Sequence, residues 1–210
     1  MIHSIGSLVA AAAVLSAAVV VAGFAQGAQA QTDKPELGLK VGTEAPNATL
    51  KTTDGETVEF SSLIGDKPVV VMFYRGGWCP YCNRSLSAWA EKINLVKSLG
   101  ADIIAISPEK VDNAAATLEK NSFPYTILVD DQHQAADAFK VRFTVDDKTQ
   151  TRYKGFGIDL KKTNADGSWD LPHPGTYVID RDGVIRYAWV QEDYRTRANP
   201  DEVLEVLRGL

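Results

Sequence analysis

The chain has 210 residues, 45% of them hydrophobic, enough for one sizeable core and too few for two large ones. Its 22 Lys and Arg against 27 Asp and Glu give a formal charge of −5, with no basic cluster to follow a phosphate backbone, so nucleic acid is not an expected partner.

Residues 1–30 contain no Lys, Arg, Asp or Glu, and an Ala- and Val-rich apolar run from Leu8 to Ala25 precedes Ala28-Gln29-Ala30. This reads as a secretory signal peptide over 1–30, cut after Ala30; uncleaved, residues 5–25 are long enough for a marginal membrane anchor. The rest of the chain is therefore expected in the cell envelope, periplasmic or secreted. Thiols persist in that oxidising medium only if something reduces them. Residues 31–41 are polar, carry Pro35 and Gly38, and read as a linker to a single domain over 42–210.

The first predicted element is a short β-hairpin in ATLKTTDGETVEF, turning at Asp54-Gly55. PVVVMFY, residues 68–74, is a continuous β-branched and aromatic run, the pattern of a strand buried on both faces. Leu86, Trp89, Ile93, Val96 and Leu99 then recur at helical spacing. Pro80 suits a first helical turn, so a helix is expected over 80–98 with a stop at Gly100. ADIIAIS is the next strand, 111–120 a helix, YTILVD a third strand and 135–139 a short helix. Residues 144–171 read as a polar stretch with turns. GTYVIDRDGVIRYAWV is a hairpin turning at Asp182-Gly183, and 201–207 is the last helix. Parallel strands joined by helices imply an α/β sandwich.

The only two cysteines, Cys79 and Cys82, fall where the buried strand ends and the helix begins. Unpaired backbone N–H groups and the positive end of the helix dipole point at that spot, so at least one sulfur is expected to have a lowered pKa. The i, i+3 spacing lets the sulfurs meet in a disulfide. A zinc site would need two further ligands, and beyond residue 30 only His133 and His173 offer imidazoles, without the tight pairing of a zinc finger. A structural disulfide closing so small a loop adds little stability. A redox-active dithiol is the expected reading, with no metal. GFGID at 155–159 follows no clear strand and lacks a third glycine, so no nicotinamide or flavin cofactor is expected either.

A strand, then WCPYC, then a helix, with HPGTYVID later in the chain, resembles the thioredoxin fold. From about Gly42 to Leu207 the chain is similar to the peroxiredoxin branch of it, the alkyl hydroperoxide reductase and thiol-specific antioxidant (AhpC/TSA) family. The resemblance implies a central mixed β-sheet flanked by helices. It also implies a thiol-dependent antioxidant oxidoreductase that reduces hydroperoxides and is reset by an external dithiol of thioredoxin type. The family's Pro-x-x-x-Thr-x-x-Cys spacing puts Arg75 at the Pro, Cys79 at the Thr and Cys82 at the peroxide-attacking cysteine, while the family's later Arg falls on Pro174. On that pattern Cys82 attacks and Cys79 resolves. Arg75 either supplies missing positive charge or is a solvated arginine at a strand end.

The thioredoxin-like features support an alternative, an envelope thiol-disulfide reductase acting on protein disulfides. There Cys79 is an exposed nucleophile, Cys82 resolves the mixed disulfide, and Pro174 is a cis-proline packed against the pair. Trp78 either lines the substrate surface or packs, and His173 either approaches the thiols as a proton donor or is solvated.

Overall fold

The computed structural model describes residues 36–210; the expected signal peptide and the first residues of the expected linker lie outside them. β1 (Thr49–Thr52) and β2 (Thr57–Glu59) pair antiparallel, Leu50 opposite Val58, around a turn in which Gly55 takes φ +85°. One 3-10 turn (Phe60–Leu63) leads to β3 (Val69–Phe73), followed by α1 (Pro80–Ser98), β4 (Asp102–Ser107), α2 (Val111–Asn121), β5 (Thr126–Val129) and α3 (Gln134–Ala138). Then come β6 (Arg142–Thr144), α4 (Asp147–Gly155), α5 (Leu160–Thr163), β7 (Asp170–Pro172), β8 (Gly175–Ile179), β9 (Ile185–Val190) and α6 (Pro200–Arg208).

Seven strands form one mixed sheet in the order β2-β1-β5-β4-β3-β8-β9, and β6 and β7 form a separate pair. β3, β4 and β5 run parallel; β1, β8 and β9 join antiparallel. All five β3 residues are buried, and the two-residue period of a strand sends them alternately to two cores. Val70 and Met72 meet Leu86, Trp89, Ile93 and Val96 of α1 and Val203, Leu204 and Leu207 of α6. Val69, Val71 and Phe73 face Leu50, Phe60, Phe139 and Tyr177. The unbroken apolar run in the sequence is thus a strand covered on both sides. Two features of that covering fix the site: β3 and β4 release their chains at the same edge of the sheet, and α1 starts there.

The sequence reading of 144–171 as a polar stretch with turns is incomplete. It contains α4 and α5 and the start of β7, built around Val145, Tyr153, Leu160, Trp169 and Leu171. α4 escapes periodicity because Tyr153 is its one buried residue; an almost wholly polar helix shows no apolar stripe. Its start is nonetheless encoded, since the Asp146 side chain accepts from the Thr149 N–H at 3.0 Å. Part of the stretch read as linker is docked: Gly38 N–H donates to Lys140 O (3.0 Å) and Leu39 N–H to Tyr177 Oη (3.2 Å).

Candidate active site

β3 ends at Phe73, and Tyr74 to Trp78 carry the chain to α1 through Gly76 and Gly77. Both glycines are required. Gly76 has φ +143°, and a Cβ there would lie 2.7 Å from Glu109 Cδ; a Cβ on Gly77 would lie 2.0 Å from Thr117 Oγ1. This close approach sets Cys79 at the N-cap of α1, with Pro80 in the first turn and Cys82 one turn on. Cys79 N–H donates to Gly76 O (3.1 Å), and Cys79 O accepts the first helical bond from Asn83 (3.1 Å). The helix N-terminus therefore faces the Cys79 sulfur, and both cysteines are free.

Each sulfur has its own guanidinium. Arg75 Nη2 donates to Cys79 Sγ at 3.3 Å, and its Nη1 donates to Tyr153 Oη at 2.6 Å. The Arg75 guanidinium lies 4.1 Å from the centroid of the Tyr194 ring and 5.2 Å from that of Trp78. Arg75 is thus a buried ligand of Cys79, 4% exposed, and the reading of a solvated arginine is set aside. Arg197, from the segment between β9 and α6, donates from Nη2 to Cys82 Sγ at 3.2 Å.

The two thiols are nevertheless driven apart. The Cys82 thiol donating to Cys79 Sγ, with the Arg75 charge beside it, brings Cys79 down to about 5 against the opposing effect of burial. Burial pushes Cys82 well above its ordinary value, and the Cys79 sulfur adds to the rise; Arg197 opposes it. Glu109, just past β4, accepts the Gly77 N–H at Oε2 (2.8 Å) and is 2% exposed. Burial raises its carboxyl to about 7, with the Gly77 bond opposing and the charge on Cys79 adding to the rise.

Cys79, Cys82, Arg75 and Trp78 come together. Trp78 is half-buried, edge-on to Tyr153 (5.6 Å) and packed against two hydrophobic clusters. Pro174 departs from expectation: no peptide bond among the described residues is cis. Its carbonyl accepts from Gln191 N–H (3.2 Å), where β8 and β9 pair, so that carbonyl is already engaged within the sheet. The expected exposed nucleophile is absent as well, because Cys79 and Cys82 are both 0% exposed. His173 stacks on Phe143 (4.2 Å between centroids), and His133 contacts Ser168 (3.2 Å) and Asp166 (3.3 Å).

Four functional side chains escaped the sequence reading: Glu109, Tyr153, Tyr194 and Arg197. Glu109 had a signal, since it follows a buried strand parallel to β3 and so emerges at the edge where ligands of such sheets gather. Tyr153, Tyr194 and Arg197 had none, standing on segments far along the chain.

Comparison with known proteins follows the same lines. A chloroplastic peroxiredoxin Q of Suaeda salsa is 32% identical over 169 residues, which cover 80% of this chain and 68% of that one. Peroxiredoxin Bcp of Escherichia coli strain K12 is 27% identical over 170 residues, 81% of this chain and 96% of that one. The solved peroxidoxin BcpB of Mycobacterium tuberculosis shares the fold, with a TM-score of 0.65, 24% identity, and coverage of 82% and 98% of the two chains. The family model described as AhpC/TSA matches residues 41–188, which span the hairpin, the dithiol and the last strand pair as far as Ala188. With that match over more than half of its length, the chain belongs to the AhpC/TSA family.

Proposed function

We propose that the chain is a thiol peroxidase in which Cys79 attacks a hydroperoxide and Cys82 resolves, the reverse of the roles implied by the family's cysteine spacing. One observation carries this reading: the sulfur at the helix N-cap accepts from the buried Arg75 guanidinium, an arrangement that favours its thiolate, and both sulfurs are sealed from solvent. The thiolate is the nucleophilic form.

In the first step Cys79 thiolate attacks the distal peroxide oxygen. An S–O bond forms as the O–O bond breaks, sulfur is oxidised by two electrons to the sulfenic acid, and the departing alkoxide takes a proton to leave as an alcohol. Arg75, beside the sulfur, is placed to hold the developing negative charge. Cys82 then loses its proton and attacks the Cys79 sulfur. The S–S bond forms, the S–O bond breaks, and hydroxide with that proton leaves as water. A dithiol of thioredoxin type returns two electrons and resets the pair.

The enclosure supports a small oxidant over a protein disulfide. A hydroperoxide presents two linked oxygens and needs only a local shift of the side chains over Cys79. A protein disulfide has to bring its own backbone to the sulfur, past the Tyr194 ring on Arg75 and the Arg197 side chain on Cys82. The trans peptide at Pro174 and the engaged carbonyl remove the thioredoxin-like dock on which the disulfide-reductase alternative relied.

Stopped-flow peroxide consumption tests the reading. Cys82→Ser should consume one equivalent of hydroperoxide and accumulate sulfenic acid at Cys79, whereas Cys79→Ser should consume none. Wild-type dithiol that reacts with hydrogen peroxide and organic hydroperoxides no faster than a free thiol would sink it. Export to the envelope is part of the proposal, supported by the uncharged apolar residues 1–30 ending Ala-Gln-Ala. Intact mass of the exported protein should place its first residue at Gln31, and finding residues 1–30 retained in a membrane fraction would replace a soluble envelope protein by an anchored one.

A further inference from the structure

The segment 191–199 leaves β9 and crosses the thiol site before α6 begins. Tyr194 lays its ring on Arg75 and meets Tyr81 edge-on at 5.6 Å. Three residues on, Arg197 turns back. Its Nη1 donates to the carbonyls of Tyr194 (2.6 Å) and Thr196 (2.5 Å), which fixes the direction of the guanidinium, and its Nη2 reaches Cys82 Sγ. A half-buried arginine 115 residues from a cysteine is thus held on that one sulfur by its own loop.

Cys82 needs such a partner. It sits among Tyr74, Leu86, Trp89 and other buried side chains, where a thiolate is costly, yet disulfide closure requires it to become one. Arg75 is committed to Cys79 and Tyr153. We infer that Arg197 is a catalytic residue of the second step, the group that stabilises the Cys82 thiolate as it attacks the Cys79 sulfenic acid. The inference rests on the peroxidase reading above, and it divides the site into one guanidinium per step: Arg75 for the attack on peroxide, Arg197 for closure of the disulfide. The electron and proton balance is that of the second step already given. Arg197 supplies charge and takes no proton.

The consequence is a competition. The Cys79 sulfenic acid either closes with Cys82 or meets a second peroxide and goes to sulfinic acid, which an external dithiol does not restore. Arg197 decides that ratio. Removing an adjacent opposite charge raises a thiol pKa by about 1–3 units. Each unit costs tenfold in thiolate below the pKa and returns about threefold in intrinsic nucleophilicity, so closure should slow by between about 3-fold and about 40-fold.

The experiment is a single-turnover mixing of the reduced full chain with hydrogen peroxide, following the fast oxidation and the slower closure separately, with mass analysis of the products. Arg197→Met should lower the rate of closure relative to the rate of oxidation within that range. It should also raise the sulfinic acid formed at Cys79 per equivalent of peroxide. Arg197→Lys, which keeps the charge, should recover most of the ratio, a result that loss of the loop's fold alone would not produce. An unchanged ratio in Arg197→Met overturns the inference while leaving the peroxidase reading intact. A slowed oxidation with unchanged closure overturns it too, because it assigns Arg197 to the attacking sulfur. Wild-type protein that shows no fast oxidation defeats the peroxidase reading itself, and this inference with it.

Discussion

Cys79 and Cys82 are one helical turn apart, and their surroundings have opposite origins. Cys79 is served by what is local: the helix N-terminus, and Arg75 four residues back at the end of a fully buried strand. Cys82, on the buried face of α1, packs into the core and is reached from a distance by a half-buried arginine on a loop. The same thiol is therefore made acidic by a rigid junction at one position and kept protonated by packing at the other. The two positions are alike in residue type; packing makes the pair directional, favouring the thiolate at Cys79 and the thiol at Cys82.

The largest expected break in that asymmetry is Arg75→Met. It removes the charge on Cys79 while leaving the helix N-terminus, and titration by thiolate ultraviolet absorbance should show the first midpoint climb from about 5 by about 1–3 units. A midpoint that stays put would mean that the Cys82 hydrogen bond and the helix alone hold the thiolate.

Glu109→Gln sharpens the contrast more gently. The amide oxygen still accepts the Gly77 N–H, but the titration near 7 is gone. Cys79 is depressed from 9.0 to about 5, so its contribution to the stability of the reduced protein is full above 9 and lost as pH falls through 5. Glu109 is raised from 4.5 to about 7, so its contribution is full below 4.5 and lost as pH rises through 7. Between pH 5 and 7 the two slopes oppose each other in wild-type protein. Denaturant melts of the reduced Glu109→Gln protein should show stability rising with pH more steeply than wild type across that window. Parallel curves would remove Glu109 from the account.

The legible part of this molecule was its local part. The buried run of β3, the helix over 80–98 and both hairpins follow from periodicity and turn chemistry, and the structure places them where those patterns do. Cys79 and Cys82 were legible for the same reason, since a strand end, a proline and a helix start all lie within a few residues. Two kinds of information were not. α4 is polar on nearly every face, so the pattern that reveals helices is missing and only the Asp146 cap marks it. The partners of the sulfurs come from packing between segments, as with Glu109 on Gly77 across 32 residues and Arg197 on Cys82 across 115. The roles of the two cysteines went the same way: a motif's spacing assigns the attack to Cys82, and only the folded chain shows that the Arg75 guanidinium bonds to Cys79.

The hydrogen bond between Glu109 and Gly77 ties a carboxyl to the loop that carries the dithiol. Negative charge on Cys79 helps to keep a proton on Glu109. A disulfide carries no charge, so closing it withdraws that help and the carboxyl releases part of its proton to solvent. By the same linkage, reduction draws a fraction of a proton back in. Near neutral pH, therefore, acidity and oxidation state become coupled variables of one loop.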